Sequence, residues 1–533
     1  MSGIIVTPAY PLRIVTGTVM ASLDRQAIEE RGVSGLWLME KAGEGVTAGL
    51  LSELTSEQLR RTAVVCGKGN NGGDGLVIAR RLMGLGYSPR VALIGTGEEL
   101  QGDARTNSRQ AIDLGIRIHE CRTSKDMEEF FAQSGTKVYI DALLGTGAKG
   151  APKGLIAEAI HALNRVGKHG WIVSVDIPSG VNADTGQVEG EAVLADSVYT
   201  LGLPKVGLLV PPGMDYCRRL RVLDIGFPGD LMRTVNSDAE LLTDGLVESW
   251  LPLRGLSAHK GSEGHLLIVA GSRGMTGAAL MCARAAIGMG AGLVTAACPG
   301  SLLPIYAGGV WEMLTLPVDE TPEGSFSEQA FETVFRNEGK YTAVVIGPGL
   351  GRNPATQEFV RRTVREVKAP ILIDGDGLTA LTPDALADRN FPWVATPHPG
   401  EMARLFGVRS SDVQSDRWDF ARRLAGSGPG VAVLKGAKTV IAAPGRSLYV
   451  NPTGSPAMAS GGMGDVLAGM IGSLLAKGIP PVEAAAVGVY LHGLASDLIV
   501  EETGAEVTPA TEVISKIQHA VARVRRNIKE IRD

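Results

Sequence analysis

In ASGGMGDVLAG, residues 459–469, three glycines precede Asp465 and the helix-like run DVLAGMIGSLLAKG. At a helix start the amides of Gly462, Met463 and Gly464 have no intrahelical partners and are placed to meet phosphate oxygens. Asp465 is then positioned to take the proton of a hydroxyl that attacks a terminal phosphate. The plain alternative is a glycine turn with Asp465 as N-cap, the commoner fate of such a sequence. Lys435, in VLKGAKT after an apolar run, supplies a cation for the same anion. No G-x-x-x-x-G-K-[ST] occurs, so a P-loop is excluded and any ATP or ADP binds differently. IDGDGL reads first as a strand-end turn, in which Asp374 and Asp376 are also able to position magnesium-bound phosphate.

A second cluster, GKGNNGGDG at 67–75, follows AVVC, and Gly67, Gly69 and Gly72 match the dinucleotide spacing G-x-G-x-x-G. That site needs an acid at the end of the second strand for the ribose. Here RVALIG runs into Gly95-Thr96-Gly97, and Glu98 comes late, in a loop. Asp74 would also repel a pyrophosphate at the helix start. Both mismatches argue against a hydride-transferring dehydrogenase. A tight turn with Asp74 as N-cap is the bland reading. DALLGTG (141–147) and DIPSG (176–180), however, each put an aspartate at the carboxyl end of an apolar strand, before a glycine turn. Asn71, Asp141, Asp176 and Ser179 then converge as hard oxygen donors, which suits a cation without requiring one. Three such clusters on one sheet edge favour a ligand site over three unrelated turns.

The elements that must position these residues are legible as strands alternating with amphipathic segments, so an α/β fold with largely parallel sheets is expected in both halves. The first half offers TAVVC, RVALIG, KVYIDALLG, WIVSVDIPSG, SVYTLG and RVLDIG, with two helices, LDRQAIEERG and LWLMEKAGEGVTAGLLSEL, ahead of them. From about Pro228 to Ala258 the pattern lapses into a mixed, strandless stretch, and a boundary is expected near 230–245. The second half offers HLLIVAGS, LVTAACPG, AVVIGPGLG, PILIDGDG, WVATPHPG, VAVLKG, TVIAAPG and SLYVNPTG. Val513, Ile517, Val521, Val524, Ile528 and Ile531 recur at helical spacing and predict a closing amphipathic helix.

Length excludes one ordinary core, since 533 residues suggest two to four domains. The net charge of −5 leaves no basic surface for nucleic acid. Glycine is the outlier, 70 residues against an average of roughly 7%. Cys66, Cys121, Cys217, Cys282 and Cys298 are odd in number, with no C-x-x-C, which fits a reduced cytoplasm better than a disulfide framework or zinc site. The N-terminal MSGIIVTPAYPLRIVTG lacks an export-signal pattern, and the best apolar stretch, around 277–299, carries Arg284; neither export nor a membrane span is expected.

NNGGDG, DALLGTG, DIPSG, TLGLPKVG and the earlier LMEKAG together resemble the N-terminal epimerase domain of the bifunctional NAD(P)H-hydrate repair enzymes, over about the first 230 residues. HKGSEGHLLIVAGSRGMTGAA, GPGLG, IDGDGL, TPHPGEM, LKGAKT and GGMGDVLAG are similar, as an ordered set over roughly 250–505, to the dehydratase domain of the same family. The resemblance implies two three-layer α/β/α domains, Rossmann-like over 1–235 and ribokinase-like over 236–533. It implies that Asn70, Asn71, Gly72, Gly73 and Asp74 contact the hydrated nucleotide, NADHX or NADPHX. Gly145, Thr146, Gly147, Ala148, Lys149, Gly150 and Ala151 would form a phosphate-side loop. Asn71, Asp141 and Ser179 would hold K+, and Asp176 would act at the hydrate with Lys205, inverting C6. In the second domain Ala278, Gly349, His398 and Asp465 would contact the S hydrate. Lys435, Gly436, Ala437, Lys438, Thr439 and Gly464 would hold ADP, with Mg2+. Asp465 would deprotonate the C6 hydroxyl, ADP would phosphorylate it, and phosphate would leave. A homo-oligomer is expected. His398 has an alternative as a loop hydrogen-bonding residue, and His259, His265 and His492 receive no role. Met463 stands where a small hydroxyl residue is usual, and Ser455-Pro456-Ala457 where Asn-Pro-Gly is usual, which puts side-chain contacts to phosphate in question. Two other readings stand beside this one: a ribokinase-like kinase of a small alcohol with a nucleotide-binding N-terminal domain, and a non-enzymatic scaffold in the first half.

Overall fold

A computed structural model describes residues 10–133, 135–336, 339–426 and 428–532 of the chain. The first nine residues and the side chains of Ile528 and Ile531, which entered the reading above, lie outside that description. The chain divides into two compact units between Leu241 and Leu242.

The first unit is built on seven parallel strands: β1 (Thr62–Cys66), β2 (Arg90–Ile94), β3 (Ile118–Cys121), β4 (Val138–Ala142), β5 (Trp171–Val175), β6 (Ser197–Leu201) and β7 (Leu220–Leu223). They lie in the order β3-β2-β1-β4-β5-β6-β7. All five residues of β1, of β4 and of β6 are buried, because helices cover both faces of the sheet. The strand order reverses between β1 and β4, which pair side by side with Val65 opposite Asp141. At such a switch point the loops leaving the carboxyl ends part and open a crevice. GKGNNGGDG leaves β1 and DALLGTG leaves β4, so topology alone brings those two clusters together.

Ahead of the sheet, LDRQAIEERG is less regular than expected. An α-helix, Gly17–Arg25, continues as a π-helical turn, Gln26–Glu30. The second early helix spans Gly35–Glu53. The stretch read as strandless contains a short strand, β8 (Ala239–Leu241), whose backbone bonds to the 12–14 segment: Ile14 N donates to Ala239 O and Leu241 N to Leu12 O.

The second unit carries β9 (His265–Val269), β10 (Leu293–Pro299), β11 (Leu314–Val318), β12 (Ala343–Ile346), β13 (Ile371–Ile373), β14 (Trp393–Ala395), β15 (Gly430–Leu434), β16 (Val440–Ala442) and β17 (Leu448–Val450). These run in the order β11-β10-β9-β12-β13-β14-β15-β16-β17. The sheet is parallel up to β15, then closes with an antiparallel meander. Its switch point lies between β9 and β12. Among the described residues one apolar helix, Pro481–Thr503, is long enough to cross a membrane, which the stretch at 277–299 had obscured; 89% of its apolar window is buried inside the unit, as a core helix requires. Val513, Ile517, Val521 and Val524 of the closing helix, Ala510–Arg532, pack into the same core. All five cysteines are buried, and none is in a disulfide.

Candidate functional site

At the first switch point, Gly67 and Gly72 let backbones touch. A Cβ on Gly67 would lie 1.9 Å from Leu143 O, and one on Gly72 1.9 Å from Gly67 O, whereas Gly69 has open space around it. The glycine spacing is therefore set by how the β1 turn packs on the β4 loop. The helix Asn70–Gly84 begins there with Gly69 as N-cap, so Asp74 lies inside the helix and is not its cap. Asn70 is exposed and Asn71 buried. Asn71 Nδ2 donates to Leu144 O (2.9 Å), while its Oδ1 is buried without a partner.

Asp141 and Ser179 meet as expected from their strand ends. Asp141 Oδ1 accepts from Ser179 Oγ (2.6 Å) and Leu143 N (3.2 Å), and Oδ2 from Ser174 Oγ (2.7 Å) and Ser179 N (3.0 Å). Burial still raises the Asp141 carboxyl above its ordinary value against the pull of these bonds. Ser179 Oγ in turn accepts from Leu144 N at 2.9 Å, which ties the DIPSG turn to the start of the 145–151 loop. That loop runs at the surface, with Gly147, Lys149 and Gly150 exposed.

Asp176 does not join that group. It sits at φ 67°, a left-handed conformation that costs a non-glycine residue about 1 kcal/mol or more. Its Oδ1 accepts from Lys205 Nζ (2.5 Å) and Leu201 N (3.1 Å). Lys205 is fully buried and spends its other protons on Leu201 O (2.7 Å) and Thr200 Oγ1 (3.1 Å). Asp74 belongs with this pair. Its carboxyl is pushed well above the usual range by burial, then by the charges of Asp176 and Asp24, with Lys205 opposing. Asp24, in the last turn of Gly17–Arg25, was not singled out from sequence: one aspartate in an early helix carries no local signal.

In the second unit the loops leaving β9, β12, β13 and β14 enclose a cleft of about 450 Å³. Ala278, Gly349, Asp374, Asp376, His398 and Asp465 all line it. Asp465 is the third residue of the helix Met463–Ala476, whose N-cap is Gly462 at φ 89°. Asp465 is thus not the cap, and a glycine stands where the chain takes a left-handed turn. Burial and the neighbouring Asp374 push Asp465 up to about 7, with Lys435 opposing. Lys435 Nζ lies 2.5 Å from Asp374 Oδ1 and 3.8 Å from Glu401 Oε2. Burial works against the Lys435 ammonium, but these carboxylates hold its pKa above the ordinary value. Gly464 faces this pair: a Cβ there would stand 3.3 Å from Lys435 Nζ.

His398 caps the helix Pro399–Phe406. Its Nδ1 accepts from Gly400 N (3.0 Å) and Glu401 N (3.3 Å), and its ring remains half-exposed in the cleft. Glu401 completes the reciprocal cap, a pattern visible as His-x-x-Glu in HPGEM. The 435–439 loop is held from below by buried Arg417, which donates to Leu434 O (3.1 Å) and Lys435 O (3.3 Å). Lys438 in that loop also has a positive φ, 51°. His492 is buried with Nε2 unpartnered, and burial, aided by the charge of Lys435, lowers it to about 4. Asp376 Oδ2 accepts from Gly351 N at 3.0 Å.

Comparison with known proteins follows the same division. The family model for NAD(P)H-hydrate dehydratase matches residues 266–519, and that for the YjeF-related protein N-terminus matches 35–207. The bifunctional NAD(P)H-hydrate repair enzyme of Moorella thermoacetica is 40% identical over 522 residues, covering 97% of this chain and 98% of that protein. The chain belongs to the bifunctional NAD(P)H-hydrate repair enzymes. The Escherichia coli member is 34% identical over 507 residues, 93% of this chain and 92% of its own. Among solved structures, the ADP/ATP-dependent NAD(P)H-hydrate dehydratase from Bacillus subtilis is 31% identical, covering 53% of this chain and 97% of that one, with a TM-score of 0.47. A small-alcohol kinase with an added binding domain does not fit a chain that aligns with repair enzymes over nearly its whole length. Of the two departures from the family pattern, Met463 is buried in the core and is not among the cleft residues. Ser455 leaves its hydroxyl buried without a partner.

Proposed function

We propose that this repair enzyme interconverts the R and S forms of NADHX and NADPHX in its first unit and dehydrates the S form in its second, converting ADP to AMP and phosphate. The observation that carries the reading is the grouping of Asp465, Lys435 and Asp374 at one helix start beside the cleft. A carboxyl with a pKa near 7 is matched to taking a hydroxyl proton at neutral pH. In the dehydratase step Asp465 removes the proton of the C6 hydroxyl as its oxygen attacks the terminal phosphorus of ADP. The amides of Met463 and Gly464 and the Lys435 ammonium stabilise the charge on the phosphoryl oxygens. Phosphate then leaves C6, which hydroxide would do poorly, and loss of a ring proton restores the dihydropyridine. Ala278, Gly349 and His398 position the hydrate, and the 435–439 loop holds the nucleotide. Asp374 and Asp376 are the carboxylates available to Mg2+, which supplies charge neutralisation on the phosphates.

In the first unit Asn70 to Asp74 and the 145–151 loop receive the hydrate, with Asp176 and Lys205 at its ring. K+ is assigned to Asn71, Asp141 and Ser179; the buried, unpartnered Oδ1 of Asn71 supports this, and the ion would supply positive charge toward the substrate phosphates. Five buried cysteines with no disulfide among them support a reducing, cytoplasmic setting. A homo-oligomeric state is part of the same proposal, and light scattering would test it.

The deciding experiment incubates the protein with mixed epimers, ADP and Mg2+ and follows dihydronicotinamide absorbance. Complete recovery is expected. Asp176→Ala should stop at half, and Asp465→Asn should recover none. Absence of recovery with both ADP and ATP would remove the dehydratase assignment. Omission of K+, or Asn71→Ala, should slow only the second half of the recovery.

A further inference from the structure

The cleft of the second unit needs more positive charge than the residues so far assigned to it provide. Four carboxylates line it: Asp374, Asp376, Glu401 and Asp465. Lys435 is engaged with two of them, Asp374 and Glu401. Both molecules that must enter are polyanions: ADP carries a diphosphate, and each hydrate carries the pyrophosphate that joins its two nucleosides. A wall of like charge repels them unless cations stand nearby.

Two arginines in the lining, Arg352 and Arg404, meet that need. Both are exposed, with 65% of the Arg352 side chain open to solvent, whereas Asp374 and Glu401 are buried. The acids therefore form the floor of the cleft and the guanidinium groups its rim. Arg352 Nε lies 3.7 Å from Asp376 Oδ1, while Asp376 Oδ2 accepts from Gly351 N at 3.0 Å. At 3.7 Å the ion pair is loose and leaves guanidinium protons for another acceptor. Among the described residues the Arg404 guanidinium has no hydrogen bond or ion pair.

Their place in the chain separates the two substrates. Arg352 follows Gly349 in the loop leaving β12, and Arg404 stands in the last turn of the helix Pro399–Phe406 that His398 caps. Gly349 and His398 are the residues assigned to the hydrate. Residues 435–439, assigned to the nucleotide, are outside the lining. At about 450 Å³ the cleft lies toward the lower end of the roughly 300–1,000 Å³ of small-molecule sites and cannot enclose a dinucleotide and ADP together. With C6 of the hydrate at Asp465, the rest of that molecule runs outward to the rim. The first charged group along it is the pyrophosphate.

We propose that Arg352 and Arg404 form the subsite for the pyrophosphate of the hydrate, the anion common to NADHX and NADPHX, and hold it away from the acidic floor. A guanidinium presents a planar fork of donors that matches two phosphate oxygens at once, which an ammonium does not. The pyrophosphate is unchanged by dehydration, so these contacts hold substrate and transition state equally and act on KM rather than kcat. The proposal rests on the dehydratase reading above.

The test uses the full chain with saturating ADP and Mg2+ and three substrates, the S hydrates of NADH, NADPH and dihydronicotinamide riboside. The last carries no phosphate. Arg404→Gln should raise KM for both dinucleotide hydrates about tenfold and keep kcat within about twofold. It should not raise KM for ADP or penalise the riboside hydrate. Arg404→Lys should recover only part of the loss, and Arg352→Gln should act in the same direction as Arg404→Gln. Added salt should raise KM for the dinucleotide hydrates in the unsubstituted protein, and do so less in Arg404→Gln. Unchanged KM in both glutamine variants would overturn the proposal. So would a penalty on S-NADPHX alone, which would place its 2′-phosphate there, or an equal penalty on the riboside hydrate, which would mean a distorted cleft. If Arg404→Gln does not fold, salt decides: KM must rise for the dinucleotide hydrates and not for the riboside hydrate, and parallel responses overturn the proposal. Unsubstituted protein that dehydrates none of the three, with ADP or with ATP, would instead remove the dehydratase reading itself.

Discussion

At the residue scale, Asp465 owes its chemistry to its neighbours. Burial and Asp374 raise it to about 7, and Lys435 moderates the effect. A base must be unprotonated to act, so dehydration of the S form should rise with pH through about 7 and level off above it, as read from kcat/KM. Asp465→Asn should lower that constant at least about 100-fold. The same shift bears on stability. The folded state binds the Asp465 proton more tightly than the unfolded chain, so its stabilising contribution is complete below the ordinary aspartate pKa. That contribution is lost as pH rises through about 7. Asp465→Asn should therefore gain in melting temperature relative to the parent at pH 8, and not at pH 4. Lys435→Met strands Asp374, which is 4% exposed in side chain, without its ammonium. Loss of about 3 kcal/mol from the second unit is expected in denaturant titrations, with nucleotide affinity reduced at least tenfold.

At the scale of elements, the β1 turn explains the glycines that first suggested a dinucleotide fingerprint. Gly67→Ala drives a methyl into Leu143 O and should unfold the first unit, seen as loss of epimerisation with S-form dehydration intact. Gly69→Ala, which meets nothing within 4 Å, should cost under about 1 kcal/mol of stability. The strands easiest to read were the central ones, whose burial on both faces leaves an uninterrupted apolar run. The misses lie at edges: IHEC of β3 is half-buried and polar, and LTLPV of β11 exposes Leu314 and Pro317. An edge strand has one open side, so its composition resembles that of a loop. The two N-cap assignments failed for a related reason. The glycines ahead of Asp74 and Asp465 are themselves helical or capping, which carries Asp74 beyond the first turn of its helix and Asp465 into the first turn of its own.

At the scale of the whole molecule, two activities in one chain make a prediction that neither unit makes alone. Asp176→Ala protein should stop at half recovery and Asp465→Asn protein at none, but a mixture of the two should recover the full amount if substrate diffuses between molecules. Half recovery from the mixture would show that epimerised substrate does not leave the chain that made it. Family and class of fold were already legible in the ordered motifs, because each glycine–aspartate cluster follows an apolar strand and parallel sheets collect strand ends on one edge. What only the tertiary structure decided is which acids act together. Asp141 is tied up by Ser174, Ser179 and Leu143, whereas Asp176 turns to Lys205, and burial with the charge of Asp176 raises the Asp74 carboxyl against the pull of Lys205. Burial and charge at these distances depend on residues far apart in the chain, such as 24, 74, 176 and 205. No local spacing encodes that meeting.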